Sequence, residues 1–231
     1  MISYNKWQHC GIAIPYYNTP ESLDSLLQRI PTEMYQHTIV IDDASEQRPI
    51  SLPCKVIHHP YNLGYGGAQK SAYNYFLKQQ DIQQIILLHG DNQYDFDSLW
   101  QAADQCEAIQ LGSRYLKPSS TEHVPKWRKW GNHLLTTTAN RLFHTTYTDL
   151  HTGARIYSSE WLKHAPFSTF SDDFVFDQQM LAHALKHRIP LVEFPIPANY
   201  DDGVSSISFA RSVQYGLGCL GTLWAAKRAK F

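Results

Sequence analysis

The polar residues of this 231-residue chain that can do chemistry stand just after short apolar runs: Asp42 and Asp43 after His37 to Ile41, and His89, Asp91 and Gln93 after Ile85 to Leu88. A carboxylate at a strand end can accept a hydrogen bond from a base N–H or a ribose hydroxyl, as acidic strand ends do in nucleotide-binding folds. The stretch Asp42-Asp43-Ala44-Ser45 suits an Asx-turn with a helix cap equally well. The set His89, Asp91 and Gln93 offers an imidazole, a carboxylate and an amide oxygen at alternate positions. A hard divalent cation bridging phosphates takes oxygen ligands, and Mn²⁺ tolerates nitrogen better than Mg²⁺ does. The other account of that segment is a plain turn, with Asp95 or Asp97 beginning the next helix.

Further along, Gly112-Ser113-Arg114 ends another apolar run, and the planar fork of an arginine there can grip phosphate. The run Asn62-Leu63-Gly64-Tyr65-Gly66-Gly67 precedes a helical stretch, so its backbone N–H groups can approach an anion, or its glycines can simply serve tight turns. It is neither GxGxxG nor a P-loop, which excludes the usual NAD and ATP phosphate sites. Lys126, Arg128 and Lys129 interleave with Trp127 and Trp130, a cluster for phosphate, a membrane face or plain solvent. Asp149-Leu150-His151-Thr152-Gly153 and Ser171-Asp172-Asp173 are polar islands without a local explanation.

The elements that must position these residues follow an α/β pattern, with short apolar runs alternating with helical stretches. Strands are expected at 11–14, 37–41, 55–58, 85–88, 109–113, 154–157 and 191–194. Helices are expected after Thr19-Pro20, where Thr19 suits the N-cap and Pro20 the first turn, then at 67–78, 130–143, 176–186 and 207–230. Lys117 to Lys126 reads as a mobile loop. Because ligands of open α/β sheets bind beyond the carboxyl ends of the strands, the loops at 15–18, 42–43, 89–91 and 112–114 should meet at one rim.

Bulk properties narrow the class. Hydrophobic content of 43% and charged content of 18% are globular values, and the net charge of −1 gives no general attraction to nucleic acid. The four cysteines, Cys10, Cys54, Cys106 and Cys219, form no CxxC pair, which argues for a reducing compartment and against zinc. No signal peptide and no run of roughly 18–20 apolar residues is visible, so a cytoplasmic protein is expected.

Taken in order, these segments resemble glycosyltransferase family 2, especially its dolichyl- or polyprenyl-phosphate sugar synthase-like branch. The family's Pro-x-Tyr-Asn resembles Pro15-Tyr16-Tyr17-Asn18, and its Val-Asp-Asp-Gly-Ser resembles Ile41 to Ser45. Its Asn-x-Gly-x-Gly-x-Ala matches Asn62 to Ala68, its Gly-Ser-Arg residues 112–114, its Asp-x-x-Thr-Gly Asp149 to Gly153, and its Glu-x-Pro-Ile Glu193 to Ile196. The resemblance implies the GT-A fold, a mostly parallel central sheet flanked by helices, over residues 1–205. A C-terminal helical extension at 206–231 would pack on that domain or on a membrane surface.

It further implies an inverting mechanism and a divalent cation, Mn²⁺ or Mg²⁺. Pro15, Tyr17, Asn18, Asp42 and Asp43, with Asn62, Gly64 and Gly66, would bind the nucleotide-sugar, and Arg114 would face its diphosphate. Asp91, Gln93 and His89 would meet the metal, with His89 standing where the family's D-x-D has its first aspartate. Family members often place a carboxylate in a Phe-Asp-x-Glu segment, resembled here by Phe176-Asp177-Gln178-Gln179. Gln179 takes no proton, which leaves Asp177, Asp173 or Asp172 as a base, or an acceptor that needs none. The expected activity is sugar transfer from a UDP- or GDP-sugar to a polyprenyl phosphate or a cell-envelope saccharide. A non-catalytic nucleotide- or glycan-binding relative is the alternative, and a sugar-nucleotide pyrophosphorylase is excluded by the lack of a Gly- and Arg-rich loop after the first strand. Val213, Leu217, Leu220 and Trp224, with Phe209, would form an apolar face on the last helix, for a bilayer or for the core.

Overall fold

The computed structural model describes residues 8–49, 51–103, 107–117, 126–197 and 209–228. Cys106, residues 118–125 of the expected loop, the boundary near residue 205, and the side chains of Lys126, Arg128 and Phe209 lie outside the described residues.

Seven strands form one sheet in the order β3-β2-β1-β4-β6-β5-β7. They are β1 (Cys10–Tyr16), β2 (Thr38–Asp42), β3 (Lys55–His58), β4 (Gln84–Leu87), β5 (Ile109–Ser113), β6 (Arg155–Ser158) and β7 (Leu191–Pro195). Only β6 runs antiparallel to its neighbours. Alternate residues of each strand face opposite sides, and the core divides accordingly. Ile12, Ile14, Val40, Ile86 and Ile156 pack under α1 (Pro20–Arg29) and α3 (Phe96–Ala102). Ala13, Ile39, Ile41, Ile85, Leu87 and Leu111 pack under α2 (Tyr65–Phe76), α5 (Ser159–His164) and α6 (Phe176–Lys186). β1, β2 and β4 are buried on both faces, which explains their near-continuous apolar sequence.

Local differences from the sequence reading have physical causes. Pro20 opens α1 as expected, but the Thr19 hydroxyl donates to the Gly90 carbonyl (3.2 Å) instead of capping the helix. The short helices α3 and α5 are too brief for a periodic signal; their caps are Asp95, which accepts from Ser98 N (2.8 Å), and Ser158, which accepts from Trp161 N (3.1 Å). Helix α4 (Lys126–Phe143) begins four residues before the expected start.

The last helix, α7 (Phe209–Arg228), packs on α6 and α4. Its inward stripe is Cys219, Thr222, Leu223 and Ala226, spaced by three or four residues. The face marked out in the sequence points elsewhere: Val213, Leu217 and Trp224 are exposed, Leu217 to 66%. Leu223→Ala should therefore cost about 2–4 kcal/mol in urea unfolding, whereas Leu217→Glu should change stability by no more than about 0.5 kcal/mol.

Candidate active site

β1 and β4 are neighbours from which the chain departs in opposite directions across the sheet, so a crevice opens between their carboxyl ends. Their parallel pairing continues past the strands through Leu88 N to Ala13 O (2.9 Å) and Gly90 N to Pro15 O (3.1 Å), while Asp43 N donates to Tyr16 O (3.0 Å). These bonds bring Pro15, Tyr16, Tyr17, Asp43, His89, Asp91, Gln93 and Arg114 to the lining of one cleft of about 660 Å³. Asn18, Asp42, Asn62, Gly64 and Gly66 are not part of that lining, and Asn18 and Asn62 are exposed.

Asp43 organises the near wall. Its Oδ1 accepts from Leu63 N (2.7 Å) and meets His59 Nδ1 (2.7 Å), and its Oδ2 accepts from Gly64 N (2.8 Å). The glycine-bearing loop thus holds an anion, and that anion is a side chain of the protein. Asn62 Oδ1 accepts from the same Gly64 N (3.0 Å), and Gly66 N donates to the Asp172 carbonyl (2.7 Å). Gly64 has φ 90°, and a Cβ on it would lie 2.5 Å from the Asp172 oxygen, so no other residue fits. Asp42 is fully buried one residue back, accepting from Ser45 N (3.0 Å) and facing His58 Nδ1 (2.7 Å). Burial alone would raise its carboxyl; the Ser45 and His58 hydrogen bonds bring it below the usual value. Asn18 ties the two loops together, its Oδ1 accepting from Glu46 N (2.9 Å).

Across the crevice, Asp91 Oδ1 accepts from Gln93 N (3.2 Å). The second oxygen of Asp91 and the side-chain amide of Gln93 make no hydrogen bond among the described residues. His89 stands beside them with Nε2 2.9 Å from the Tyr65 hydroxyl. Among the described residues no three His, Cys, Asp or Glu side chains gather closely enough to hold a metal by themselves. One carboxylate, one amide and one imidazole suit a cation that takes its remaining ligands from diphosphate and water.

The floor carries two buried charge pairs. Arg114 Nε and Nη2 grip Asp149 Oδ2 (2.7 Å) and Oδ1 (3.0 Å), and Asp149 N donates to Glu193 Oε1 (2.9 Å). Burial opposes ionisation of Asp149, yet the Arg114 charge holds its carboxyl below the usual value. Arg155 lies 3.5 Å from Asp177, donates to Thr152 O (3.0 Å) and to Asp177 O (2.9 Å), and is held strongly protonated by that carboxylate against the pull of burial. Of the three expected base candidates, Asp177 lines the cleft, its oxygens taken up by Gln69 Nε2 (3.0 Å) and the Tyr65 hydroxyl (3.1 Å). Asp172 and Asp173 are exposed and outside the lining; Asp172 pairs with Lys70 (2.7 Å), and Asp173 Oδ1 accepts from Phe174 N (2.7 Å).

Helices α4 and α7 form the mouth. Trp127, Leu134 and Leu135 from one and Val213, Leu217 and Leu220 from the other line it. Leu134 is 63% exposed, and Trp130 on the same helix is 74% exposed.

Residues 11–165 match the profile of the glycosyl transferase family 2. The chain belongs to that family. The uncharacterized protein MJ1222 of Methanocaldococcus jannaschii is 24% identical over 203 residues, 83% of this chain and 82% of that one. Crystal structures of glucosyl-3-phosphoglycerate synthase from Mycobacterium tuberculosis share the fold. The complex with UDP superposes with a TM-score of 0.69 at 13% identity, over 97% of this chain and 82% of that one. The complex with Mn²⁺, UDP and phosphoglyceric acid gives 0.67 at 14%, over 97% and 80%. Membership supports glycosyl transfer from a nucleotide-sugar on a GT-A fold.

Several residues of this family 2 site escaped the sequence reading. Tyr65 and Tyr94 carried no signal among 14 tyrosines. Arg155 did carry one, a lone charge in the apolar run Ala154 to Tyr157, and it is less than 2% exposed. His151, in the uninterpreted island, lines the cleft with Nδ1 3.3 Å from the Tyr215 hydroxyl and Nε2 buried without a partner. Burial, aided by Arg114 and Arg155 and opposed by Asp149, pushes its imidazole down to about 4. Below pH 6.5 the unfolded chain protonates this histidine while the folded chain does not until about pH 4, so stability falls as pH drops through that window, by at most roughly 3 kcal/mol. His37 and His183 are lowered by burial too and act in the same direction. Unfolding free energies of His151→Gln measured from pH 7 to pH 4 should show a visibly flatter pH slope than those of the natural chain.

Proposed function

We propose that the chain is an inverting glycosyltransferase that moves a sugar from a UDP- or GDP-linked donor to a polyprenyl phosphate, within the wider class of polyprenyl-phosphate and cell-envelope saccharide acceptors. The observation that carries this reading is a single cleft with two chemistries, a charged floor at Asp43, Asp91 and Arg114 beneath an apolar mouth at Leu134, Val213, Leu217 and Leu220. With a cation at Asp91 the floor suits a nucleoside diphosphate. The mouth suits a hydrocarbon chain, since each buried CH₂ contributes about 0.8 kcal/mol.

On this reading Pro15 and Tyr17 flank the base, and Asp43, held rigid by its loop, accepts from the base or ribose. Asn18, Asp42, Asn62, Gly64 and Gly66 act by fixing that wall. Arg114, oriented by Asp149, places positive charge beside the diphosphate. Asp91, Gln93 and His89 would hold a divalent cation, which when bound neutralises charge on the leaving diphosphate. The acceptor oxygen bonds to the anomeric carbon as the bond to the diphosphate oxygen breaks, that electron pair leaves with the nucleotide, and the configuration inverts.

Base catalysis bears on the choice of acceptor. Three carboxylates line the cleft among the described residues: Asp43 with three donors, Asp91 at the expected cation site, and Asp177 held by Gln69, Tyr65 and Arg155. Asp43 and Asp177 are held by their donors, Asp91 is given to the cation on this reading, and Asp172 and Asp173 are outside. A phosphate acceptor arrives as an anion and needs no base. The synthase crystallised with Mn²⁺, UDP-glucose and phosphoglyceric acid supports a UDP-sugar, a divalent cation and a phosphate-bearing acceptor as classes, while the apolar mouth favours a lipid among them. No helix of the described residues is long and apolar enough to cross a membrane; the membrane contact we propose is peripheral, on the inner face, through the Trp130 and Leu217 side of α4 and α7.

Purified protein incubated with UDP- and GDP-sugars, Mn²⁺, and polyprenyl phosphate in vesicles should form a sugar-lipid product. Asp91→Ala should lower the rate by about 10²–10³-fold without loss of folding, and EDTA should abolish it until Mn²⁺ is restored. Full activity of Asp91→Ala in EDTA would sink the cation site. Nucleotide binding without transfer to any acceptor is the outcome expected of a non-catalytic module, and transfer to phosphoglycerate alone would replace the lipid reading. Leu217→Glu should raise KM for the long-chain acceptor about tenfold, equivalent to roughly 1.4 kcal/mol, and leave a short-chain phosphate analogue unaffected.

A further inference from the structure

Tyr65 opens α2 and projects into the cleft between two groups that the reaction, as read above, uses for different ends. Its hydroxyl lies 3.1 Å from Asp177 Oδ2 and 2.9 Å from His89 Nε2. A hydroxyl has one proton to donate. Asp177 already accepts from Gln69 and faces the Arg155 guanidinium, so it is an acceptor here. The hydrogen of the Tyr65 hydroxyl lies beside a carboxylate oxygen that can only accept. It therefore points to Asp177, and the phenolic oxygen must receive a proton from His89. The imidazole carries its hydrogen on Nε2.

That assignment leaves a lone pair on Nδ1, because the bond made by one ring nitrogen fixes the state of the other. Nδ1 of His89 has no hydrogen-bond partner among the described residues, and it is not among the buried unpartnered atoms. The ring is held on its other sides. A Cβ on Gly153 would fall 2.2 Å from Cε1 and 2.4 Å from Nε2, so that edge of the ring lies against bare backbone. Tyr94 meets it edge-on at 5.3 Å, with its own hydroxyl accepting from Gly153 N (3.0 Å). Tyr65 is itself stacked on Phe174 at 5.3 Å.

We propose that Tyr65 is a positioning residue which, anchored by Asp177, holds His89 in its Nε2–H form and so makes Nδ1 a cation ligand beside Asp91. A hydrogen-bonded carboxylate behind a ligating histidine is a recurrent means of fixing tautomer and orientation; here a tyrosine relays it. The inference rests on the cleft being a cation-dependent donor site, and it adds a consequence: a nitrogen ligand shifts preference from Mg²⁺ toward Mn²⁺.

Two measurements test it without turnover. In the metal-free protein, ¹⁵N shifts of the His89 ring should report hydrogen on Nε2; hydrogen on Nδ1 overturns the proposal whatever the enzyme does. In the presence of UDP, Mn²⁺ titrations followed by electron paramagnetic resonance should show about 10–100-fold weaker binding in Tyr65→Phe, with metal-free UDP affinity and thermal unfolding unchanged. His89→Asp should keep Mn²⁺ binding and gain relative affinity for Mg²⁺. In that background Tyr65→Phe should cost nothing further, because the relay no longer has a ring to orient. Natural Mn²⁺ affinity in both Tyr65→Phe and His89→Ala would overturn the relay while leaving the transferase reading intact. Absence of Mn²⁺ binding by the natural chain with UDP would overturn both.

Discussion

An ionised side chain taken out of water must be met by an opposite charge or by several hydrogen bonds, since leaving one buried alone costs about 3–5 kcal/mol. The architecture around this cleft answers that demand four times. Arg114 is met by Asp149, Arg155 by Asp177, Asp43 by two backbone amides and His59, and Asp42 by Ser45 and His58. Apart from the local Asp42–Ser45 contact, these pairings join segments that are separated in sequence. Asp43 reaches 20 residues on to Leu63, Arg114 35 residues on to Asp149, and Gln69 108 residues on to Asp177. The loops that form the site are therefore fixed by electrostatic need more than by apolar packing, which is concentrated in the sheet below them.

The same demand explains what was legible in the sequence. The strands and long helices announced themselves through apolar runs and periodic stripes, because burying those side chains is a local property of each segment. Helix α6 was read to the residue at Phe176–Lys186, and β5 at Ile109–Ser113. The antiparallel direction of β6 was not legible, since direction depends on how a strand is connected and paired, not on which residues it buries. Likewise Asp42, Asp43, Asp91 and Arg114 were found by their place after strands. Whether a carboxylate faces the cleft or the protein depends on partners that only the fold supplies. The loop carrying Asn62, Gly64 and Gly66 shows this most directly: the amides of Leu63 and Gly64 hold an anion, and that anion is Asp43, while Gly66 N donates to the Asp172 carbonyl.

Backbone conformation tells a related story. Asn18, Ala44 and Asn92 have φ of 51°, 60° and 55°, one in each loop that follows β1, β2 and β4. Asparagine tolerates the left-handed region; alanine does so at a cost of about 1–2 kcal/mol. The glycine that family 2 places after Asp-Asp is the residue that fits such a position. Ala44 keeps the turn because Asp42 and Asn18 close it from either side, with Asp42 Oδ1 accepting from Ser45 N and Asn18 Oδ1 from Glu46 N. The strain thus marks where the chain must reverse sharply to present Asp43 to the cleft.

Charge balance, finally, bears on why we propose a cation for the mechanism. Among the described residues lining the cleft, three carboxylates, Asp43, Asp91 and Asp177, stand with two guanidiniums, Arg114 and Arg155. Asp149 then matches Arg114 from behind, so the carboxylates of the floor outnumber its guanidiniums. A nucleoside diphosphate brought there meets repulsion, and at 4 Å each unit-charge pair is worth about 4 kcal/mol at an effective dielectric constant of 20. Arg114 alone cannot reverse that, because its field is largely cancelled by Asp149, though its orientation is thereby fixed. Two positive charges placed at Asp91 convert the same floor from repelling to attracting a diphosphate. The paired arginines then serve geometry, and the mobile charge is left to the ion.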